Sequence, residues 1–273
     1  MSNVLDFKEQ LDNATFSGWQ AGSGPPFMCL HAGVADNRMF TGLQEGLGAQ
    51  FSLLSYDRRG YGETATQDVP FSHMRDFEAL LDRRTIDRAV LLGCSQGGRI
   101  AIDYALSNPD RVKALILIAS ALSGAPASED PIDIQPLIEA LDIAEEAEDW
   151  DEVNRIEAHM WLDGPRSTEG RISGPTRDLF LDMNGIALQH PELTQRSDPP
   201  SALERLSDLE MPVLLLQGDL DFPDILERQK MMANSIRGAR SVTCPGTAHM
   251  LPMENPAFVV NQSLSFCQDN ALI

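Results

Sequence analysis

The segment AVLLGCSQGGRI, residues 89–100, constrains this chain more than any other. A short apolar run, Val90 to Leu92, stops at Gly93-Cys94-Ser95-Gln96-Gly97-Gly98, and an apolar pattern of longer period begins at Ile100, Ala101 and Tyr104. The change of period predicts a strand, a very tight turn and a helix. The turn also contains G-x-S-x-G. Glycines at minus two and plus two let a buried strand reverse into a helix sharply enough to push the central side chain, Ser95, out of the turn. Gly98 adds room on the helix side for close packing.

A serine hydroxyl is a weak nucleophile. It needs a partner base, an acid that orients the base, and donors for the oxyanion formed when it attacks a carbonyl. The rest of the chain is read for these. Residues 14–31 read as a strand pair, ATFSGWQ and Phe27 to Leu30, joined by a turn at Gly22-Ser23-Gly24-Pro25-Pro26. The second strand ends at His31-Ala32-Gly33-Val34. In an acyl-transfer enzyme one backbone N–H of such a loop joins the N–H of the residue after the nucleophile to hold the oxyanion, which selects Gly33 and Gln96. A short helix over Met39 to Leu47 and a strand over Phe51 to Tyr56 follow, ending in Asp57-Arg58-Arg59-Gly60-Tyr61-Gly62.

An apolar strand ending in H-x-G, then D-x-R-G-x-G, then G-x-S-x-G, resembles the α/β-hydrolase superfamily, in its serine carboxylesterase, enol-lactonase and C–C bond hydrolase branch. The resemblance covers residues 14–120 and 200–270. It implies an α/β fold, a mostly parallel doubly wound sheet with an inserted helical cap, and a D-x-R-G-x-G loop that is mainly structural, so Asp57 and Arg59 stay outside the catalytic set. A helix from Ser72 to Arg83 and a strand from Lys113 to Ala119 continue the alternation expected of a parallel sheet. Function then belongs at the carboxyl ends of the strands, where His31, Asp57, Ser95 and Ser120 fall.

From about Leu122 to Pro200 the strand-like runs vanish. Leu137, Ile138 and Leu141, then Trp150, Val153, Ile156 and Met160, recur at helical spacing. Between Glu129 and Glu152 stand eleven acids and no Lys or Arg. The chain therefore divides into a core, residues 1–121 and 200–273, and a helical cap with an acidic outer face, residues 122–199. Candidates to line the substrate pocket are His31, Met160, Trp161, Phe180 and Met250.

The strand Pro212 to Leu216 ends at Gln217-Gly218-Asp219-Leu220-Asp221, an acidic turn suited to the orienting acid. Either aspartate could serve. The family pattern G-x-x-D implies Asp221, leaving Asp219 to cap the turn. A last strand, Arg240 to Cys244, runs into Pro245-Gly246-Thr247-Ala248-His249-Met250. The base follows by elimination among five histidines. His73 lies on a helix, His159 and His190 lie in the cap, and His31 is placed to support backbone, which leaves His249. The order Ser, Asp, His is the one the resembling family uses.

Composition narrows the function. The net charge of −20 argues against a nucleic-acid partner and disfavours long-range capture of anionic substrates. The longest nearly unbroken apolar run, Ala114 to Leu122, falls far short of the roughly 20 residues that span a bilayer. MSNVLDFKEQ carries no secretory pattern, and the cysteines at 29, 94, 244 and 267 stand singly with no metal spacing, so a cytoplasmic protein with reduced thiols is expected. The expected activity is hydrolysis of small to medium carboxylic esters by Ser95, His249 and Asp221, without cofactor or metal. The substrate is a small molecule, and a homodimer is compatible with the sequence. C–C bond hydrolases of the resembling family usually carry asparagine before the serine and tryptophan after the histidine, where this chain has Cys94 and Met250. Enol-lactonase chemistry uses the same residues, and a cap arginine, Arg166 or Arg171, could recognise a dicarboxylate locally. The alternative of a different class is a non-catalytic ligand-binding protein.

Overall fold

The computed structural model describes residues 4–126, 131–197 and 199–273. Met1 to Asn3, and Glu129 and Asp130 of the acidic run, lie outside the described residues. The strands are β1 (Val4–Leu11), β2 (Ala14–Ala21), β3 (Pro26–Leu30), β4 (Ser52–Tyr56), β5 (Ala65–Thr66), β6 (Ala89–Cys94), β7 (Val112–Ile118), β8 (Val213–Gly218) and β9 (Arg240–Cys244). The helices are α1 (Gln44–Gly48), α2 (His73–Arg83), α3 (Gln96–Ser107), α4 (Gln135–Glu146), α5 (Trp150–Glu157), α6 (Pro175–Gln189), α7 (Pro223–Ser235), α8 (Leu251–Glu254) and α9 (Pro256–Asp269).

One sheet runs in the order β1-β2-β4-β3-β6-β7-β8-β9, with β5 against β2. The pairs from β4 through β9 are parallel, and β1 and β2 join antiparallel. The central strands are apolar on both faces because helices cover both. Val90, Leu92 and Cys94 face one apolar cluster and Ala89 and Leu91 the other, as do Ala114 and Ile116 against Leu115 and Leu117 on β7. The first cluster continues into Ile134, Val153, Phe180 and Met183, from the segment between β7 and β8.

Three local expectations change. β1 is an additional strand, mostly exposed, whose Asp6, Lys8 and Glu9 mask its period but suit an edge that must not pair further. β2 and β3 are not partners, because β4 inserts between them. The turn at residues 22–25 therefore links strands two positions apart. The helix expected over Met39 to Leu47 is a 3-10 turn, Asn37–Leu43, running into α1. Cys29, Cys94, Cys244 and Cys267 are all free and buried. Between β7 and β8 the described residues form α4, α5, a π-helical turn over Ala158–Asp163, and α6, with no strand of the sheet among them.

Candidate active site

The topology gathers the site. β3 and β6 are parallel neighbours with Leu30 opposite Gly93, while the chain leaves β3 for β4 on its other side. The loops after β3 and β6 therefore diverge at a point where strand order reverses, leaving a crevice between them. Gly33 lies on the first loop and Ser95 on the second.

The elbow is very close packed. A methyl group on Gly93 would lie 2.6 Å from the Gly98 Cα, and one on Gly98 would lie 2.8 Å from the Ser120 Cβ. Ser95 itself holds φ 51° and ψ −115°, a conformation a non-glycine residue adopts only under constraint. The constraint is visible: the Ser95 N–H donates to Ile118 O at 2.9 Å, and the Ser95 carbonyl accepts from Ala121 N–H at 3.0 Å and Arg99 N–H at 3.1 Å. Ser95 is half-buried at the start of α3.

The other end of the site forms where β8 and β9 finish together, with Gly218 opposite Cys244. The Leu220 N–H donates to Thr247 O at 2.9 Å, tying the acidic turn to the loop that carries His249. His249 Nδ1 donates to Asp221 Oδ2 at 2.8 Å, and Asp221 Oδ1 accepts the Phe222 N–H at 2.8 Å. Both side chains are buried. Asp219 instead accepts the Gly246 N–H at 2.6 Å in an exposed position. The geometry thus separates the two aspartates the sequence left in competition. Cys94 Sγ approaches the His249 carbonyl at 3.9 Å, which sets the histidine loop beside the elbow.

The remaining candidates divide. Trp161 packs on the His249 ring at 4.8 Å between centroids and equally on Phe222. Met160, Phe180 and Met250 belong to the apolar core, Phe180 and Met250 fully so. His31 is buried as well. Its Nε2 accepts the Arg58 N–H at 3.0 Å, so Nδ1 carries the proton and donates to Ala32 O at 2.8 Å. Burial, then the nearby Arg58 charge, hold this imidazole well below the usual histidine range. Arg166 pairs with Asp133 on the surface, while Arg171 bridges Glu254 at 2.6 Å and the carbonyls of Leu162, Asp163 and Gly246. Both arginines are therefore paired within the chain. A cavity of about 280 Å³ lies beside the β3 loop, between Gly33, Val34 and Tyr61 on one side and Asn184, Leu188 and His190 on the other.

The D-R-R-G loop contributes two residues that the sequence reading passed over, Arg58 and Tyr61. No local signal marks them: β4 ends at Tyr56 and the chain turns at once, the Tyr61 N–H donating to Arg58 O at 3.0 Å, so the direction of Arg58 is set by the loops around it. Arg59 pairs with Asp76 through two bonds of 2.9 and 3.0 Å. Asp57 accepts the N–H groups of Asn37 and Glu63, each at 2.9 Å, and the Asn37 side-chain amide.

Burial, followed by the charge of Asp36, nevertheless pushes the Asp57 carboxyl up from 3.8 to about 6. An acid raised in the fold keeps a proton that the unfolded chain has lost, so its contribution is complete below about pH 4 and is lost as pH rises through about 6. The stability advantage of the wild type over Asp57→Asn should therefore shrink by up to about 3 kcal/mol between pH 4 and 7, in urea unfolding at each pH. An advantage that grows with pH would contradict this.

The fold and site define a doubly wound α/β protein built around a strand-turn-helix elbow, with its polar residues on loops at the carboxyl ends of the strands. The alpha/beta hydrolase family model matches residues 27–262, and the chain belongs to that family. It is 27% identical over 224 residues to a pimeloyl-[acyl-carrier protein] methyl ester esterase from Neisseria meningitidis, covering 81% of this chain and 84% of that protein. A 99-residue stretch, 36% of this chain and 38% of its relative, is 32% identical to the protein of the same name from Nitrosomonas europaea. The chain spans only 30% to 38% of the length of the first curated relatives it matches. Among solved structures it is similar to a hydrolase from Pseudomonas aeruginosa PA01, with a TM-score of 0.76, 25% identity, and coverage of 97% and 98% of the two chains. The enol-lactonase from Burkholderia xenovorans LB400 shares the fold at 18% identity, with a TM-score of 0.74 and coverage of 93% and 97%.

Proposed function

We propose that this chain is a serine hydrolase acting on carboxylic esters with small to medium acyl or alcohol groups. The observation that carries the reading is the 2.8 Å bond from His249 Nδ1 to Asp221 Oδ2, on a loop packed against the elbow that holds Ser95 at φ 51°. With its Nδ1 proton committed to Asp221, His249 has a free lone pair on Nε2, the atom that takes the Ser95 proton as Oγ attacks the ester carbonyl. Asp221 fixes that tautomer and stabilises the imidazolium. The N–H groups of Gly33 and Gln96 hold the oxyanion, and the imidazolium returns its proton to the departing alkoxide. Water activated by the same histidine then releases the acid. These steps use only groups on this chain. The esterase names of two relatives favour the same reaction class. The segment of residues 122–199 serves as the cap, with Trp161 presented to the reacting histidine.

The test is a p-nitrophenyl ester series, acetate through octanoate, run beside labelling with a fluorophosphonate and peptide mass spectrometry. The expected result is turnover with a chain-length optimum set under the cap, and one label, on the peptide containing Ser95 and absent from Ser95→Ala. A wild type that neither turns over nor takes the label would move the assignment to a non-catalytic ligand-binding protein.

A further inference from the structure

Arg58 is fully buried, yet no carboxylate pairs with it among the described residues. Its neighbour Asp57 is committed to Asn37 and Glu63, and Asp76 to Arg59. A buried guanidinium is costly to leave without a counter-charge, so its retained partners are informative. Nη2 donates to the carbonyls of His31 at 3.1 Å and Ala32 at 3.0 Å, the two residues immediately before Gly33. Nη1 donates to the side-chain carbonyl of Gln96. The Tyr61 hydroxyl donates to the same Gln96 oxygen at 3.3 Å, and the Arg58 guanidinium lies over the Tyr61 ring at 4.5 Å. The Arg58 backbone N–H holds His31 Nε2. Arg58 Nε is buried without a partner.

One planar fork therefore joins the two separate loops that carry Gly33 and Gln96. From this bridge we infer that Arg58 is a positioning residue for the oxyanion hole, fixing the spacing between the Gly33 and Gln96 donors and presenting an unneutralised positive charge behind them. The inference rests on the serine-esterase reading and deepens it. It follows from how such holes work: donors must already stand at the position the oxyanion will take, since reorganising them during reaction forfeits their benefit. Lysine could supply the charge but not the fork, which holds two loops at once.

Arg58→Gln and Arg58→Lys should be measured with p-nitrophenyl acetate, with kcat expressed per fluorophosphonate-titrated site so that loss of folded protein is divided out. Inhibition by a boronic acid, which forms a tetrahedral anion on a serine, gives the second readout. Removing a direct donor typically costs about 10²- to 10³-fold in kcat. For a residue acting behind the donors, roughly 10- to 100-fold is expected in Arg58→Gln, with KM changed by less than about threefold and boronate affinity falling in parallel. Arg58→Lys should recover only part of the loss. A merely structural arginine would lower Tm while leaving kcat per titrated site and boronate affinity within about threefold of wild type, and that result overturns the inference while leaving the esterase reading intact. If Arg58→Gln gives no folded protein, Gln96→Ala decides. It removes the acceptor of the bridge and keeps the backbone donor, and a kcat within twofold of wild type would overturn the proposal. A wild type that takes no label overturns both readings together.

Discussion

Asp221→Asn is expected to lower kcat on a p-nitrophenyl ester by roughly 10⁴-fold, with little change in Tm, whereas Asp219→Asn should stay within a few-fold of wild type. The difference follows from what each carboxylate accepts. Asp221 Oδ1 is held by the Phe222 N–H and Oδ2 by His249 Nδ1, both at 2.8 Å. In Asp221→Asn the Phe222 N–H still requires an oxygen, so the new amide nitrogen must face His249. An NH2 group there demands a lone pair on Nδ1, which shifts the imidazole proton to Nε2. The base then points a proton at Ser95 where it needs a lone pair, and general-base catalysis is lost with the geometry unchanged. Asp219 accepts the Gly246 N–H at an exposed turn, a bond the asparagine oxygen can also accept, so its substitution leaves the site unchanged. Stopped assays at matched concentrations of titrated enzyme separate the two variants. Equal losses, or a larger one in Asp219→Asn, would overturn the choice of acid.

How far such a site can be read from sequence depends on the range of the information. The elbow was legible because a change of hydrophobic period and glycines at fixed offsets are local signals, and the structure has β6 ending at Cys94 and α3 starting at Gln96. The parallel sheet followed from the alternation of elements. Its order did not: a glycine- and proline-rich turn between two runs suggests a hairpin, and only the completed sheet reveals that β4 lies between β2 and β3. β1 escaped notice because a charged edge strand lacks the apolar alternation that announces a strand.

The two aspartates lie two residues apart on one turn, and spacing alone could not choose between them. The choice rests on the pairing of Gly218 with Cys244, which brings Asp221 and not Asp219 to His249. The apolar residues between β7 and β8 were ambiguous for another reason. An apolar side chain at helical spacing serves equally as core or as pocket lining, and Met160 and Phe180 fall in the core while Trp161 meets the histidine. Arg58 is a case of chemistry hidden by its neighbours, a charged residue in a polar loop whose burial depends entirely on the loops it joins.

Gly97→Ala should be among the most damaging single methyl groups in the molecule, lowering Tm by more than about 8 °C or preventing recovery of soluble protein. The backbone of Gly97 does not need a left-handed conformation; the demand is for space. An added Cβ would overlap the Leu30 carbonyl oxygen, and would lie 2.5 Å from the Leu30 carbonyl carbon and 2.7 Å from the His31 oxygen. All three are backbone atoms at the end of β3, which is locked in register with β6 through Leu30 and Gly93. No rotamer change relieves such a contact, so α3 must tilt or β3 must part from β6. Either exposes apolar surface that is fully buried, and a cost of about 4 kcal/mol or more corresponds to the stated shift in a domain of this size.

Gly33→Ala is the control. Its Cβ would find nothing nearer than 3.9 Å, so Tm should hold within about 2 °C although it lies in the same crevice. Should Gly97→Ala melt near the wild type as well, β3 and the elbow can move relative to one another, and the spacing of the proposed Gly33 and Gln96 donors cannot be set by the fold. The contact that makes Gly97 irreplaceable is thus the one that brings the two loops of the crevice within reach of a single guanidinium.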